Sequence, residues 1–304
     1  MRGMTRRMIW TAALLTLMTV LTAGAARAEG RVFMAGEAEP FAPEEALLHV
    51  YICPLLGADA MVLIQGEQVM LVDMGKDHQA DEIMAVLDSL GIEHINVAFN
   101  THPHDDHVGA LPKLLKRYSF GFFVTGFPED LKRGKSVIQR ETMAALAEAE
   151  VKVIRMDDGD GLYLGEAEAR VIRLNEGSLV NPRSCMLLVR FGECSILLAA
   201  DVTAEAQREL ARTRDGLKAE ILKYPHHGLG RLAKEFLKAV SPEYAVFTHG
   251  SKNTKAAQGQ LKASGVDFGF ATWGVIHLST NGQYWLVEQK LTPAGKRYQQ
   301  ELGR

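Results

Sequence analysis

Cysteine is scarce in this chain: Cys53, Cys185 and Cys194 are the three among 304 residues. Three is an odd number, and no two have the close spacing of a thiolate metal knuckle. Neither a disulfide framework nor a cysteine-based zinc site therefore organises the fold. Cys185 and Cys194 stand in apolar runs, where a buried thiol behaves as a small hydrophobe. All three read as structural, with a pair between two of them open to an exported protein.

Basic charge is also short. Against 37 Asp and Glu there are 34 Lys and Arg, a formal net charge of −3. Bulk charge gives such a chain no help in holding a polyanion, which counts against a processive nucleic-acid binder but leaves local basic patches open. No linker or low-complexity segment divides the sequence. The uncharged apolar run at residues 9–21 follows Arg2, Arg6 and Arg7, and Ala26-Arg27-Ala28 then fits a small-x-small cleavage site. The run is near the short end for a membrane span, and no cysteine follows it that could carry a lipid. The expectation is a signal peptide over residues 1–28 and one domain over 29–304, exported to the periplasm or secreted, with no stable membrane insertion after cleavage. Loss of four arginines would move the net charge from −3 to −7. The remaining chain is long enough for one large α/β domain with a sizeable core.

What the chain does hold is histidine and aspartate at high local density. In Thr101-His102-Pro103-His104-Asp105-Asp106-His107 the spacing is His-x-His-x-Asp-His. Imidazole and carboxylate are the donors that first-row divalent metals accept, and an open coordination position makes such a site a water activator. The β-branched run at 95–100 before it and Val108-Gly109-Ala110-Leu111 after it place these side chains on a loop between a strand and a helix. Four residues of metal-ligand type at this density favour a metal site over a solvated polar loop.

Residues 47–74 alternate apolar runs with Gly57-Ala58-Asp59 and Gly66-Glu67-Gln68, the pattern of consecutive antiparallel strands. Residues 77–90 have helical spacing (Ile83, Val86, Leu87, Leu90) and stop at Gly91. Residues 134–150 predict a helix and 151–155 a strand. In the second half, 167–174, 184–191 and 194–200 are strand-like, the last two joined by a Gly192-Glu193 hairpin. Helical stretches near 204–212, 231–239 and 254–263 alternate with strands at 219–223, 244–248 and 266–271. Two similar halves of this kind suggest two sheets packed face to face with helices outside.

The run His102-Pro103-His104-Asp105-Asp106-His107 with Val108-Gly109-Ala110-Leu111 resembles the signature of the metallo-β-lactamase superfamily. Leu71-Val72-Asp73-Met74-Gly75 resembles its upstream aspartate motif, and Ile196-Leu197-Leu198-Ala199-Ala200-Asp201 the strand that ends in its metal-bridging aspartate. Leu222-Lys223-Tyr224-Pro225-His226-His227-Gly228 is similar to the paired-histidine motif of the ComEC/Rec2-like branch, the hydrolase domain of DNA-uptake proteins and their stand-alone secreted relatives.

The resemblance implies an α/β fold, the αββα four-layer sandwich, and two divalent metal ions, zinc or manganese. It assigns His102 and His104 to one ion, Asp106 and His107 to the other, Asp201 as the bridge and His227 as the last ligand. His226 would stand near substrate, and Asp73 would orient a ligand imidazole. Two divalent ions, two carboxylates and a bridging hydroxide leave such a site slightly positive, suited to an anionic diester.

Three departures from the pattern matter. No histidine stands in Leu179-Val180-Asn181-Pro182-Arg183-Ser184, where many members carry a ligand; Asn181 and Ser184 match the branch instead and are expected to support the site. That absence argues against a true β-lactamase. Leu229 replaces a usual serine, and Ala200 a usual glycine.

His249, after a strand, could donate a proton to a leaving oxygen, so Asp106, His226 and His249 are the candidate catalytic residues. His49, His78, His94 and His277 belong to no motif. Lys113, Lys116 and Arg117, the group Lys132, Arg133 and Lys135, and the segment Ser251-Lys252-Asn253-Thr254-Lys255 are candidate substrate rims, although such charge runs are usually solvated faces.

The expected activity is an exported dinuclear phosphodiesterase or nuclease, its substrate a phosphoester with nucleic acid among the candidates. A lactam, lactone or thioester hydrolase and a non-catalytic binding protein are the competing readings. The oligomeric state is left open.

Overall fold

The computed structural model describes residues 31–42 and 44–301. The expected signal segment 1–28 lies outside them.

Leu48–Ile52, Met61–Gln65 and Gln68–Val72 form an antiparallel ribbon, as the two glycine-containing breaks predict. From Gln68–Val72 the pairing becomes parallel through His94–Asn100, Ser119–Thr125 and Lys152–Arg155. On the other side of the ribbon lie Ile276–Thr280, Trp285–Gln289 and Val32–Met34, giving a nine-stranded sheet. The second sheet has seven strands. Gly161–Leu164, Ala167–Ile172, Met186–Phe191 and Cys194–Leu198 are antiparallel neighbours, followed in parallel by Ile221–Lys223, Tyr244–Phe247 and Asp267–Phe270.

Three apolar clusters define four layers. Because side chains alternate along a strand, Met70 and Val72 face inward while Leu71 faces out. The inward set, with Val50, Leu63 and Phe99, packs against Leu187, Val189, Ile196, Leu198 and Val246 of the second sheet. Leu71, Ile95 and Phe123 pack outward against Ile83 and Leu87 of helix Ala80–Ser89, Leu111 and Leu114 of Leu111–Leu114, and Leu146 of Val137–Glu148. On the far side, Leu197, Leu222 and Phe247 meet Leu210 of Ala204–Thr213, Phe236 of Lys234–Val240 and Leu261 of Lys255–Ala263. Each such side chain taken fully from water contributes about 1.5–3 kcal/mol. The architecture is the αββα sandwich.

Two parts of the sequence reading are revised. Residues Asp105–Val108 form one helical turn, so Asp106 and His107 project from a helix and only His102 and His104 from a loop. The halves are also less alike than the local pattern suggests, because Ile276–Thr280 returns across the molecule to pair with Leu48–Ile52. Cys53, Cys185 and Cys194 are free and buried, and burial pushes their thiols up to about 12, about 11 and about 11 respectively.

Parallel strands align their C-terminal ends on one edge, so the loops that leave them share one rim of the molecule. Asp73, residues 101–107, Asp201, residues 225–228 and Thr248 all follow such strand ends.

Candidate metal centre

Strand His94–Asn100 delivers Thr101 and His102 directly to the rim, where both are buried. A helical turn over Asp105–Val108 brings His107 back under His102, with ring centroids 4.1 Å apart. From the other sheet, Cys194–Leu198 ends just before Asp201, and Ile221–Lys223 before His226 and His227. The centre therefore straddles the two sheets.

His102 Nε2 lies 3.0 Å from His104 Nδ1 and 3.8 Å from Asp201 Oδ2. His107 Nε2 lies 3.3 Å from Asp201 Oδ1 and 3.9 Å from Asp106 Oδ1. His227 Nε2 is 3.3 Å from Asp106 Oδ2 and 3.8 Å from Asp201 Oδ1. Asp201 thus turns one oxygen to His102 and the other to His107 and His227. His107 Nε2, His227 Nε2 and Asp201 Oδ1 are buried atoms with no hydrogen-bond partner. Three orphaned polar atoms converging on one point would be costly in a closed protein core, and a divalent cation is what satisfies that donor set.

The rear of each imidazole is held. Asp73 accepts from His107 Nδ1 at 2.7 Å, from Thr101 N at 2.8 Å and from Thr101 Oγ1 at 2.8 Å. With its proton on Asp73, Thr101 Oγ1 accepts from His102 Nδ1 at 3.0 Å. Asn100 Nδ2 donates to the His102 carbonyl at 2.8 Å, fixing the loop. His227 Nδ1 sits 3.0 Å from Asp59 Oδ1, which also accepts from Thr248 Oγ1 at 2.6 Å, while Lys223 Nζ meets the other Asp59 oxygen. Partners at Nδ1 turn the Nε2 atoms of His102, His107 and His227 toward the centre, the arrangement in which a rear carboxylate raises ligand basicity.

Asp59, His107, Asp201 and His227 have ligand-type atoms within 4.8 Å of one another. Asp59, however, is saturated by Lys223, Thr248 and His227 Nδ1 on the far side of the ring, so it orients a ligand and Asp106 occupies the open side.

Electrostatics follow the same division. Burial pushes the His107 imidazole down, but the Asp201 and Asp73 carboxylates outweigh it and hold it well above the usual histidine range. Burial pushes Asp201 up, and His107 then pulls it well below the carboxylate range. Burial raises Asp106, whereas His227 and His107 bring it down to about 2. Asp59, raised by burial, is held low by Lys223 and His227. Burial, then His107, holds His102 well below its ordinary value, and burial lowers His104. His107 with Asp201 is thus a buried pair whose positive member is a proton that a cation can displace.

Other predicted residues sit as follows. Ser184 Oγ accepts from Asp201 N at 3.3 Å and donates to Asn181 O at 2.8 Å, a brace on the backbone of the shared carboxylate. Asn181 Oδ1 is buried without a partner. His226 Nε2 lies 3.8 Å from Asp201 Oδ2, and its side chain is 43% exposed. His249 has no hydrogen bond to these ligands; its Nδ1 accepts from Gly250 N at 2.7 Å and contacts Asn253 Nδ2 at 3.2 Å. Burial, then His227 and Lys76, lowers its imidazole.

Lys113 and Arg117 are spent in ion pairs with Asp77 and Asp88 on the outer helices. Arg133, Lys135 and Arg183 line a cavity of about 790 Å³ together with His104, Ser136 and the carboxylates of Asp105 and Asp130. His49 and His277 meet each other at 3.0 Å on a different strand pair, away from the centre.

Asp59, Lys223 and Thr248 escaped the sequence reading. Asp59 sits in a Gly-Ala-Asp break that looks like any turn, and its lysine partner is 164 residues away. The only available signal was a lysine ending the apolar strand Ile221–Lys223, where a buried charge requires a partner.

Comparison with known proteins agrees with this geometry. The family profile described as the metallo-beta-lactamase superfamily matches residues 53–249, a span that includes every candidate ligand. The chain is 28% identical over 177 residues to ComE operon protein 3 of Bacillus subtilis, covering 56% of this chain and 22% of that protein. It is 34% identical over 93 residues to competence protein ComA of Neisseria gonorrhoeae, covering 28% of this chain and 14% of that one. The chain therefore spans less than a quarter of the length of these relatives. Among solved structures, the metallo-beta-lactamase fold protein YhfI from Bacillus subtilis superposes with a TM-score of 0.51 at 11% identity, over 74% of this chain and 96% of that one. With its fold, its motif order and a family match across both sheets, the chain belongs to the metallo-β-lactamase superfamily and sides with the ComEC-like branch.

Proposed function

We propose that this chain is an exported metal-dependent phosphodiesterase, with nucleic acid among its substrates. The observation that carries the reading is the convergence of His107 Nε2, His227 Nε2 and Asp201 Oδ1, buried and unpartnered, beside a cavity lined by Arg133, Lys135 and Arg183. The relative named competence protein ComA supports a nucleic-acid substrate, and the three basic side chains of the cavity, set against Asp105 and Asp130, support an anionic one.

His102, His104, Asp106, His107, Asp201 and His227 would hold two divalent ions, zinc or manganese. Such ions bring the pKa of water toward about 7 and stabilise charge on a phosphoryl group. The chain's own residues do the rest. Asp73 and Asp59 lock the His107 and His227 rings so that both Nε2 atoms point the same way. Ser184 holds the Asp201 backbone. Asp106, ionised and 23% exposed, can accept a proton at the attacking water. His249, whose Nδ1 accepts from Gly250 N, would present Nε2–H as a hydrogen-bond donor to a departing oxygen, which takes its proton from water.

The test is hydrolysis of bis-p-nitrophenyl phosphate with manganese or zinc. Metal-dependent turnover that falls at least about 100-fold in Asp106→Ala is expected. No turnover with either metal would defeat the phosphodiester reading and return weight to a lactam, lactone or thioester bond, or to binding without catalysis.

A further inference from the structure

The donor sets of the two halves of the centre are unequal. His107, His227, Asp106 and one oxygen of Asp201 surround one point. On the other side only His102 Nε2, His104 Nδ1 and Asp201 Oδ2 have been assigned, and the loop at 179–184 has no histidine to add. A third neighbour is nevertheless present. His226 Nε2 lies 3.8 Å from Asp201 Oδ2, the same distance as His102 Nε2 from that oxygen. Donors sharing a tetrahedral ion at about 2.0–2.2 Å stand roughly 3.3–3.6 Å apart, so these spacings are close to those of a common cation.

The backbone gives a second reason. His226 and His227 both have left-handed backbone, with φ of 51° and 56°. For a residue with a Cβ this costs of order 1–3 kcal/mol each, and it persists only where the surroundings impose it. Here His226 N donates to Ala200 O at 2.9 Å, and Leu229 N donates to His226 O at 2.8 Å. The first bond fastens His226 to the residue before Asp201. The doubled left-handed turn sends two successive imidazoles to opposite oxygens of one carboxylate, which an ordinary extended or helical dipeptide would not do.

We propose that His226 is a metal ligand. It supplies from the second sheet the imidazole that the 179–184 loop lacks, and with His102, His104 and Asp201 it completes the first of two cation positions. The paired histidines are then one ligand for each ion. This rests on the metal-dependent part of the function above and not on the choice of scissile bond.

The competing donor is Asn181 Oδ1, buried and unpartnered in that same loop. The experiment is a Co(II) titration of the metal-stripped full chain, followed by calorimetry and visible absorption, with His226→Asn and Asn181→Ala beside it. Asparagine tolerates left-handed backbone, so the first substitution keeps the turn. The wild type is expected to take two equivalents. His226→Asn is expected to keep one tight equivalent and to weaken the other at least roughly 100-fold, with a matching loss of Co(II) absorbance, because even groups behind the ligands are worth 10–100-fold.

Two unweakened equivalents in His226→Asn would overturn the proposal, as would a wild type that takes only one. Loss of an equivalent in Asn181→Ala but not in His226→Asn would give the position to the amide. Loss of both equivalents in His226→Asn, with native circular dichroism, would overturn the division of ligands. No substrate enters the titration, so an inactive chain that still shows the stoichiometry change defeats the phosphodiester reading and leaves this one standing.

Discussion

At the scale of single residues, the rim of this molecule is a place where backbone strain and side-chain aim are traded. Asp73, Ala200, His226 and His227 all have positive φ. For Asp73 and the two histidines the side chain is the reason, since each reaches the centre from that conformation. Ala200 has no such function. Its φ of 47° sets the turn that presents Asp201, and the Cβ is only a liability. Ala200→Gly is therefore expected to leave metal binding unchanged and to stabilise the chain by up to about 1 kcal/mol, read from denaturant unfolding of the metal-free protein. A destabilisation would mean that the buried methyl group matters more than the strain.

At the scale of elements, the histidine loop is anchored by a helix it does not belong to. Ser136 caps Val137–Glu148 by accepting from Gln139 N at 3.1 Å, and Gln139 Oε1 accepts in return from Ser136 N. The same Gln139 amide donates to the carbonyl of Pro103, between His102 and His104. The reciprocal capping bonds thus fix the helix start and the loop together. Gln139→Ala should cost about 1 kcal/mol of stability and loosen His104 more than His107. One metal equivalent would then weaken while the other holds; equal weakening of both would refute a local anchor.

Much at this scale was legible beforehand. The hydrophobic spacing over 77–90, the glycine-broken apolar runs over 47–74 and the Gly192-Glu193 hairpin state their conformations locally, and the elements formed there. The pairing of Ile276–Thr280 with Leu48–Ile52 was not legible, because no short pattern records a partner more than two hundred residues away. The same holds for the site. The histidine run carries its chemistry in seven consecutive residues, whereas Asp59 and Lys223 acquire meaning only through each other. The helical turn at Asp105–Val108 looks like loop in sequence because four residues are too few to show a period.

For the whole molecule, sign of charge and place of charge must be separated. The chain is acidic overall, yet in the cavity beside His104 three basic side chains, Arg133, Lys135 and Arg183, outnumber the two acidic ones, Asp105 and Asp130. Lys113 and Arg117, equally basic in sequence, are neutralised by partners on an outer helix layer. An anionic substrate would be captured by that local patch against the field of the rest. Arg133→Glu with Lys135→Glu is expected to raise KM for a phosphodiester about tenfold or more while kcat changes little, and added salt should shrink the difference. A fall in kcat at constant KM would place these residues in the chemical step instead.

The seam between the sheets has one further consequence. Asp59, Asp73 and residues 102–107 come from the part of the chain before the exposed Leu179, and Asp201, His226 and His227 from the part after it. Neither part holds a full complement of donors. A backbone cut near Leu179 would touch no donor, yet it would make catalysis depend on reassembly. Metal uptake in this protein would be a report on complementation, registering that two separate stretches of polypeptide have found one another.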